Sequence, residues 1–177
     1  MGQLLTDALV IKNETLSGAN TATRVGGWME DAATYIEETP SVLNFFDFAT
    51  EGTTVLTQDV WSPLNATITV GFSRNGLSVN TAGLVTYTGP QKYFRVSFIA
   101  AVLAQTNRKV HIALFKNGQL WPCSEFAQAA GSVSEVTLPG QCVVPLSTGD
   151  TIQVYVKCST HAITITLDNL NVIINEF

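Results

Sequence analysis

Residues 93–104 read YFRVSFIAAVLA. On a strand, Phe94, Val96, Phe98, Ala100 and Val102 share one face, and Ile99, Ala101 and Leu103 share the other. Side chains alternate between the faces of a strand, so a strand apolar on both needs cover on both. A two-layer sandwich covers only one. The second face must meet something outside the domain, and a neighbouring subunit is the natural candidate. Tyr93, Phe94, Phe98, Ile99 and Leu103, with Tyr155 from a later strand, are assigned to this interface or to the core behind it.

The surface chemistry points the same way. Only 13% of the 177 residues are charged and 46% are hydrophobic, against about 25% charged in an ordinary soluble domain. The chain lacks the residues that normally coat a monomer. A membrane does not explain the deficit. A spanning helix needs about 18 or more consecutive apolar residues, and VSFIAAVLA, between Arg95 and Arg108, is half that. The opening MGQLLT fits an acylation pattern, but no polybasic patch follows it and an ordinary N-terminus is expected.

Two modules are expected, an N-terminal segment over 1–50 and a β head over 51–177. Residues 1–60 hold two Lys/Arg against nine Asp/Glu, and residues 61–177 hold seven against five. In the first module Trp28, Ala32, Tyr35 and Ile36 mark one face of a short helix, about 27–38, that Pro40 limits. SVLNFFDFATEG follows, a strand or a packed connector with Phe45, Phe46 and Phe48. In the second module short β-branched runs alternate with turns. Asn75-Gly76 and Asn117-Gly118 are hairpin signals, because both central turn positions need positive φ. YTGPQK, SVSEVTLPGQ and LSTGD supply further turns. This spacing predicts an all-β sandwich or barrel.

Catalytic chemistry is not expected. Ser147, Asp150 and His161 would supply a triad, but STGD reads as a turn capping a strand and no nucleophile elbow is present. The acids of the head, Glu125, Glu135, Asp150, Asp168 and Glu176, are scattered. No oxygen-rich loop suits calcium, no glycine loop suits phosphate, and no basic stripe suits nucleic acid. No cofactor or metal is implied. Cys123, Cys142 and Cys158 show no ligand spacing. They are expected as buried free thiols, with a Cys123–Cys142 bridge as the alternative. Trp121 packs on a strand or neighbouring subunit, or stacks on a host sugar.

KYFRVSFIAAV, IALFKNGQLW, VPLSTGDTIQVYV and LDNLNVIINEF follow one another in the order that resembles the globular heads of the complement and tumour-necrosis-factor superfamily. That resemblance, over about residues 86–177, implies a ten-stranded antiparallel jelly roll that forms homotrimers through aromatic and apolar strand faces. DALVIKNETLSGANTATRVGGWMED, Asp7 to Asp31, resembles the opening segment of virion appendages of tailed phages, similar to those of phages infecting Bacteroidetes. Val10, Ile11, Asn13, Glu14, Thr15, Gly18, Ala19, Asn20, Thr21, Ala22, Arg24, Val25 and Gly26 carry it. It implies a fibre on the capsid or on the tail, attached to other virion proteins by this segment. The reading is a mainly β, trimeric virion protein with an extended anchor, a short helix and a jelly-roll head. It is a structural component or, alternatively, an adhesin for a host-surface glycan or protein.

Overall fold

The computed structural model describes residues 40–48, 52–131 and 135–177. The expected anchor at 7–31 and helix at about 27–38 lie outside these residues. The described chain forms two packed sheets. The strands are β1 (Val42–Asp47), β2 (Thr53–Leu56), β3 (Ser62–Pro63), β4 (Thr69–Arg74), β5 (Leu77–Val79), β6 (Val85–Tyr87) and β7 (Lys92–Leu103). Then come β8 (Lys109–Lys116), β9 (Gln119–Leu120), β10 (Phe126–Ala129), β11 (Glu135–Leu146), β12 (Thr151–Cys158) and β13 (Ile163–Glu176). The front sheet runs β11-β7-β13-β1-β4, with β2 also on β13. The back sheet runs β10-β8-β12-β6-β5, with β3 on β12 and β9 on β8. Strand pairing is antiparallel, apart from an isolated parallel bridge between Gln58 and Cys158.

The core is one layer of side chains between the sheets. Phe94, Val96, Phe98, Ala100 and Val102 of β7 face Ile112 and Leu114 of β8 and Ile152, Val154 and Val156 of β12 within one buried cluster. Tyr87 of the back sheet meets Phe94 of the front sheet edge to face, with ring centroids 4.9 Å apart, an arrangement that matches the ring quadrupoles.

The last strand shows how pattern becomes geometry. In β13 the apolar positions are Ile163, Ile165 and Leu167, then Leu170, Val172 and Ile174. The first set is odd and the second even, so a regular strand would turn one set to solvent. The register against β7 shifts between Leu167 and Asn169. Asp168 is the extra, exposed residue of this bulge, and all six apolar side chains are buried.

Three turn assignments meet different fates. Asn117 and Gly118 take φ of 50° and 75° and join β8 to β9 as a hairpin. Asn75 and Gly76 also take positive φ, 54° and 80°. However, β4 pairs in the front sheet and β5 in the back sheet, so this turn carries the chain across the sandwich. Leu77, just after it, is buried, which draws the chain toward the back sheet. LPGQ is no turn, because Pro139 and Gly140 lie inside β11. β11 is an edge strand, where a proline's missing N–H is tolerated. The NFFDF stretch is strand β1, paired with β13 and β4. The front sheet therefore starts at Val42, ahead of the expected boundary at 51.

The LSTGD turn is tied to the β8–β9 hairpin through Asp150. Its carboxylate accepts from the Ser147 amide at 2.8 Å and from Asn117 Nδ2 at 2.7 Å, and pairs with Lys116 Nζ at 2.8 Å. Desolvation pushes this carboxyl up. The hydrogen bonds from Lys116, Asn117 and Ser147 outweigh it and bring the pKa down to about 2. A depressed carboxyl pKa adds stability above the unfolded value, which is lost as pH falls through the folded one. Asp150→Asn is therefore expected to lower stability by about 1–2 kcal/mol at neutral pH. Urea melts across acid pH should show that deficit closing as pH falls from about 4 towards 2.

Candidate subunit interface

The outer face of the front sheet carries the unpaired apolar surface. β11, β7 and β13 lie side by side, and directly opposed residues of antiparallel strands share a face. Ile99 lies between Pro139 of β11 and Asn171 of β13. Arg95 lies between Val143 and Asn175. Tyr93 opposes Pro145, and its carbonyl accepts the Phe177 amide at 2.8 Å. Leu103 lies between Glu135 and Thr166.

This face has much carbon in water. Tyr93 is 56% exposed, Ile99 41% and Phe177 76%, and Leu103, Val143 and Ile173 are also exposed. The one cation in the middle, Arg95, places its guanidinium 5.3 Å from the centre of the Phe177 ring, a cation–π contact that covers part of that ring. On the same face, beside Ile99, Asn44 Nδ2 of β1 donates to Asn171 Oδ1 of β13 at 3.0 Å and to the Val172 carbonyl at 3.2 Å. The face is apolar with internally paired polar groups, which suits docking against another protein surface.

Of the residues assigned from sequence, Tyr93, Ile99 and Leu103 lie on this face, whereas Phe94 and Phe98 point inward and belong to the core. Tyr155 does not join them. It lies on β12 in the back sheet, stacked on Phe115 with ring centroids 4.0 Å apart. Alternation told which face of its strand it occupied, but not which sheet the strand entered. Val143, Ile173 and Phe177 were not singled out. Their signal was the apolar residue left on the polar phase of an alternating strand.

Trp121 is not presented for stacking. Its indole Nε1 donates to the Val143 carbonyl at 3.0 Å, and Lys116 Nζ stands 5.8 Å from the ring centre. It packs against β11 and the core. The three cysteines are free, but only Cys158 is fully buried. Cys142 is half-buried, and burial pushes its thiol up to about 11. Cys123 is exposed in the loop before β10, with φ of 62°.

Ser147 and Asp150 lie at the start of β12 and His161 beyond its end. Eight strand residues, about 26 Å, separate them. His161 Nδ1 instead lies 3.0 Å from Arg108 Nη1. The back sheet does bring another hydroxyl, imidazole and carboxylate together. His111 contacts Glu125 Oε1 through Nδ1 at 2.6 Å and Ser159 Oγ through Nε2 at 2.9 Å. Their order suits nucleophilic catalysis. However, the Ser159 amide already donates to the Lys109 carbonyl at 3.1 Å, so it cannot serve a developing oxyanion. His111 is buried, with Trp61 edge-on to its ring. The trio is a satisfied polar network under Trp61. Among the described residues no three or more His, Cys, Asp or Glu are grouped to hold a metal ion.

No family model and no curated protein matches the sequence. Solved structures do match the fold. The chain is similar to the Eiger TNF of S. frugiperda, with 14% identity, TM-score 0.54, and coverage of 78% of this chain and 93% of that one. It is similar to the globular domain of zebrafish complement 1qA, with 13% identity, TM-score 0.52, and coverage of 77% and 95%. It is similar to murine APRIL at pH 5.0, with 16% identity, TM-score 0.51, and coverage of 76% and 98%. At these identities the likeness concerns the fold, and the described chain carries the two-sheet antiparallel jelly roll of those proteins.

Proposed function

We propose that this chain is a structural protein of a tailed-phage virion. It works as a homotrimer whose heads pack through the outer face of β11, β7 and β13, tied to the particle by the segment Asp7–Asp31. The exposed apolar face of the front sheet is the observation that carries the trimer. Burying the exposed parts of Tyr93, Ile99, Leu103, Val143, Ile173 and Phe177 contributes on the order of 10 kcal/mol per subunit. Rigid strands need little ordering on association, which limits the opposing entropy. The sequence resemblance of residues 7–31 supports the virion assignment, and the low charge content fits a surface that meets other proteins. The small residues of NETLSGANTATRVGG let the backbone approach a partner closely. Three copies of one segment raise its effective concentration at the acceptor, so a weak contact becomes a durable attachment.

A second reading is a receptor-binding head that recognises a host-surface glycan or protein. Phe126, 39% exposed beside a cleft of about 290 Å³ between β10 and β11, favours it.

The neighbours Phe98 and Ile99 test the interface, because one points into the core and the other out of the front sheet. Phe98→Asp is expected to cost about 4 kcal/mol or more and to abolish folding. Ile99→Asp is expected to give a folded, monomeric head, seen as one-third of the wild-type mass in light scattering with an unchanged far-UV spectrum. A stable trimer from Ile99→Asp overturns the interface. Removal of residues 1–31 is expected to leave the trimer intact and to prevent its incorporation into particles, read by mass spectrometry of purified virions. Incorporation of the truncated chain overturns the anchor assignment.

A further inference from the structure

A cyclic trimer is closed by heterologous contacts, in which one patch of each copy meets a different patch of the next. The outer face of β11, β7 and β13 supplies one patch. The order of the front sheet points to the other. Three copies that turn this sheet toward a threefold axis stand as the sides of a prism. One edge of each sheet then adjoins the opposite edge of the next. The sheet ends in β11 on one side and in β4 on the other, so β11 of one copy adjoins β4 of its neighbour.

The two edges differ in shape. β4 carries a projection. All six of its residues are exposed, and Phe72 is 46% exposed, with the Arg74 guanidinium 5.4 Å from its ring centre. Phe72 opposes Asn44 and so shares the outer face. Beside it, Phe46 stacks on the exposed Phe48 with ring centroids 4.7 Å apart. Gly71 is the extra residue of the bulge between β4 and β1. A Cβ there would lie 2.5 Å from Asn44 Oδ1, so the strand bends in this way only at glycine. β11 carries a recess. The cleft of about 290 Å³ lies between Ser124, Glu125 and Phe126 on one side and Pro139, Gly140 and Gln141 on the other. Gly140 brings no side chain, and the Phe98 ring occupies the place of its missing Cβ. Pro139 blunts this edge against backbone pairing with another strand, which leaves side-chain packing as the means of contact.

Projection and recess also stand at one level. Rotation about an axis that runs along the strands keeps each residue at its own height. Phe72 opposes Asn44, Asn44 opposes Ile173, Ile173 opposes Ser97, and Ser97 opposes Gln141. Phe72 and Gln141 are thus the two ends of one row across the sheet. The rotation brings Phe72 of one copy to the level of Gly140 and Gln141 of the next. We propose that Phe72 of each copy inserts into the β10–β11 cleft of its neighbour and closes the trimer. The proposal rests on the trimer reading, and needs neither the anchor nor a host ligand. An aromatic side chain seated in a pocket is the usual anchor of an interface. A cleft filled in this way is not open to a host ligand.

The test is photo-cross-linking of the full chain carrying Phe72→benzoylphenylalanine. Illumination should give covalent dimers and trimers on a denaturing gel. Mass spectrometry should place the link within residues 123–126 or 139–141 of the other copy. Phe72→Ala should keep the far-UV spectrum and raise the concentration at which trimer gives way to monomer by at least about tenfold. Phe72→Leu should recover part of that loss. Val60→Ala, at a residue 50% exposed ahead of β3, should change nothing. Links confined to single chains, links to another part of the neighbour, or a Phe72→Ala trimer as persistent as the wild type overturn the contact. Where the wild type is a trimer by light scattering, those results leave the trimer reading in place. A monomeric wild type removes that reading and this contact with it.

Discussion

Strand β7 is the member on which the rest of the structure depends. It is hydrogen-bonded along both edges, to β11 on one side and β13 on the other. Its inner face supplies Phe94, Val96, Phe98, Ala100 and Val102 to the core. Its outer face, with Tyr93, Ile99 and Leu103, has no cover within the described residues. Every other element of the front sheet is placed by this strand. β13 takes its bulge in register with it, and β1 is then positioned by β13. A central strand cannot trade one face for the other, because a one-residue slip would expose the whole core set. The same rigidity that secures the fold fixes the outer apolar face in place, so the sheet offers a preorganised surface.

The two sheets divide the work unequally. The back sheet's outer face is covered by its own chain, with Trp61 over His111 and Phe115, and Lys157 Nζ 4.9 Å from the Trp61 ring centre. Glu125, His111 and Ser159 saturate one another beneath it. The front sheet has no such lid among the described residues, and its exposed carbon runs across β11, β7 and β13, with Val55 of β2 and Val70 and Phe72 of β4 exposed as well. This contrast, rather than total hydrophobicity, separates a surface for partners from one that is finished. Between the two sheets, Gly140 leaves the seam at β10 and β11 ajar.

Much of this fold was legible in the sequence, and what was not has a common cause. The alternation in TIQVYVKC marked the inner face of β12, and Asn117-Gly118 marked the β8–β9 hairpin. These are local consequences of pleat and of positive φ. Sheet membership is non-local, so Tyr155 was grouped with Tyr93 although the two lie on opposite sheets. The Asn75-Gly76 turn was read correctly as a turn but not as a crossing between sheets. Pro139-Gly140 looked like a turn because composition does not reveal an edge strand, and that error hid the cleft. Within the candidate interface, the two-sided pattern of residues 93–104 gave the face, while the partners Val143, Ile173 and Phe177 emerged only from register.

β13 follows the other described strands in chain order, yet it occupies the middle of the front sheet, between β7 and β1. Until it emerges from the ribosome, β7 and β1 have no partner between them and the outer face does not exist as a surface. Pairings of long sequence separation form late and slowly. The fold thus imposes an order of events during synthesis, in which a nascent chain has no completed front-sheet face for a sister chain to grip. Any docking of heads through that surface would be deferred until each has folded by itself, which limits the misassembly to which partly made β chains are prone.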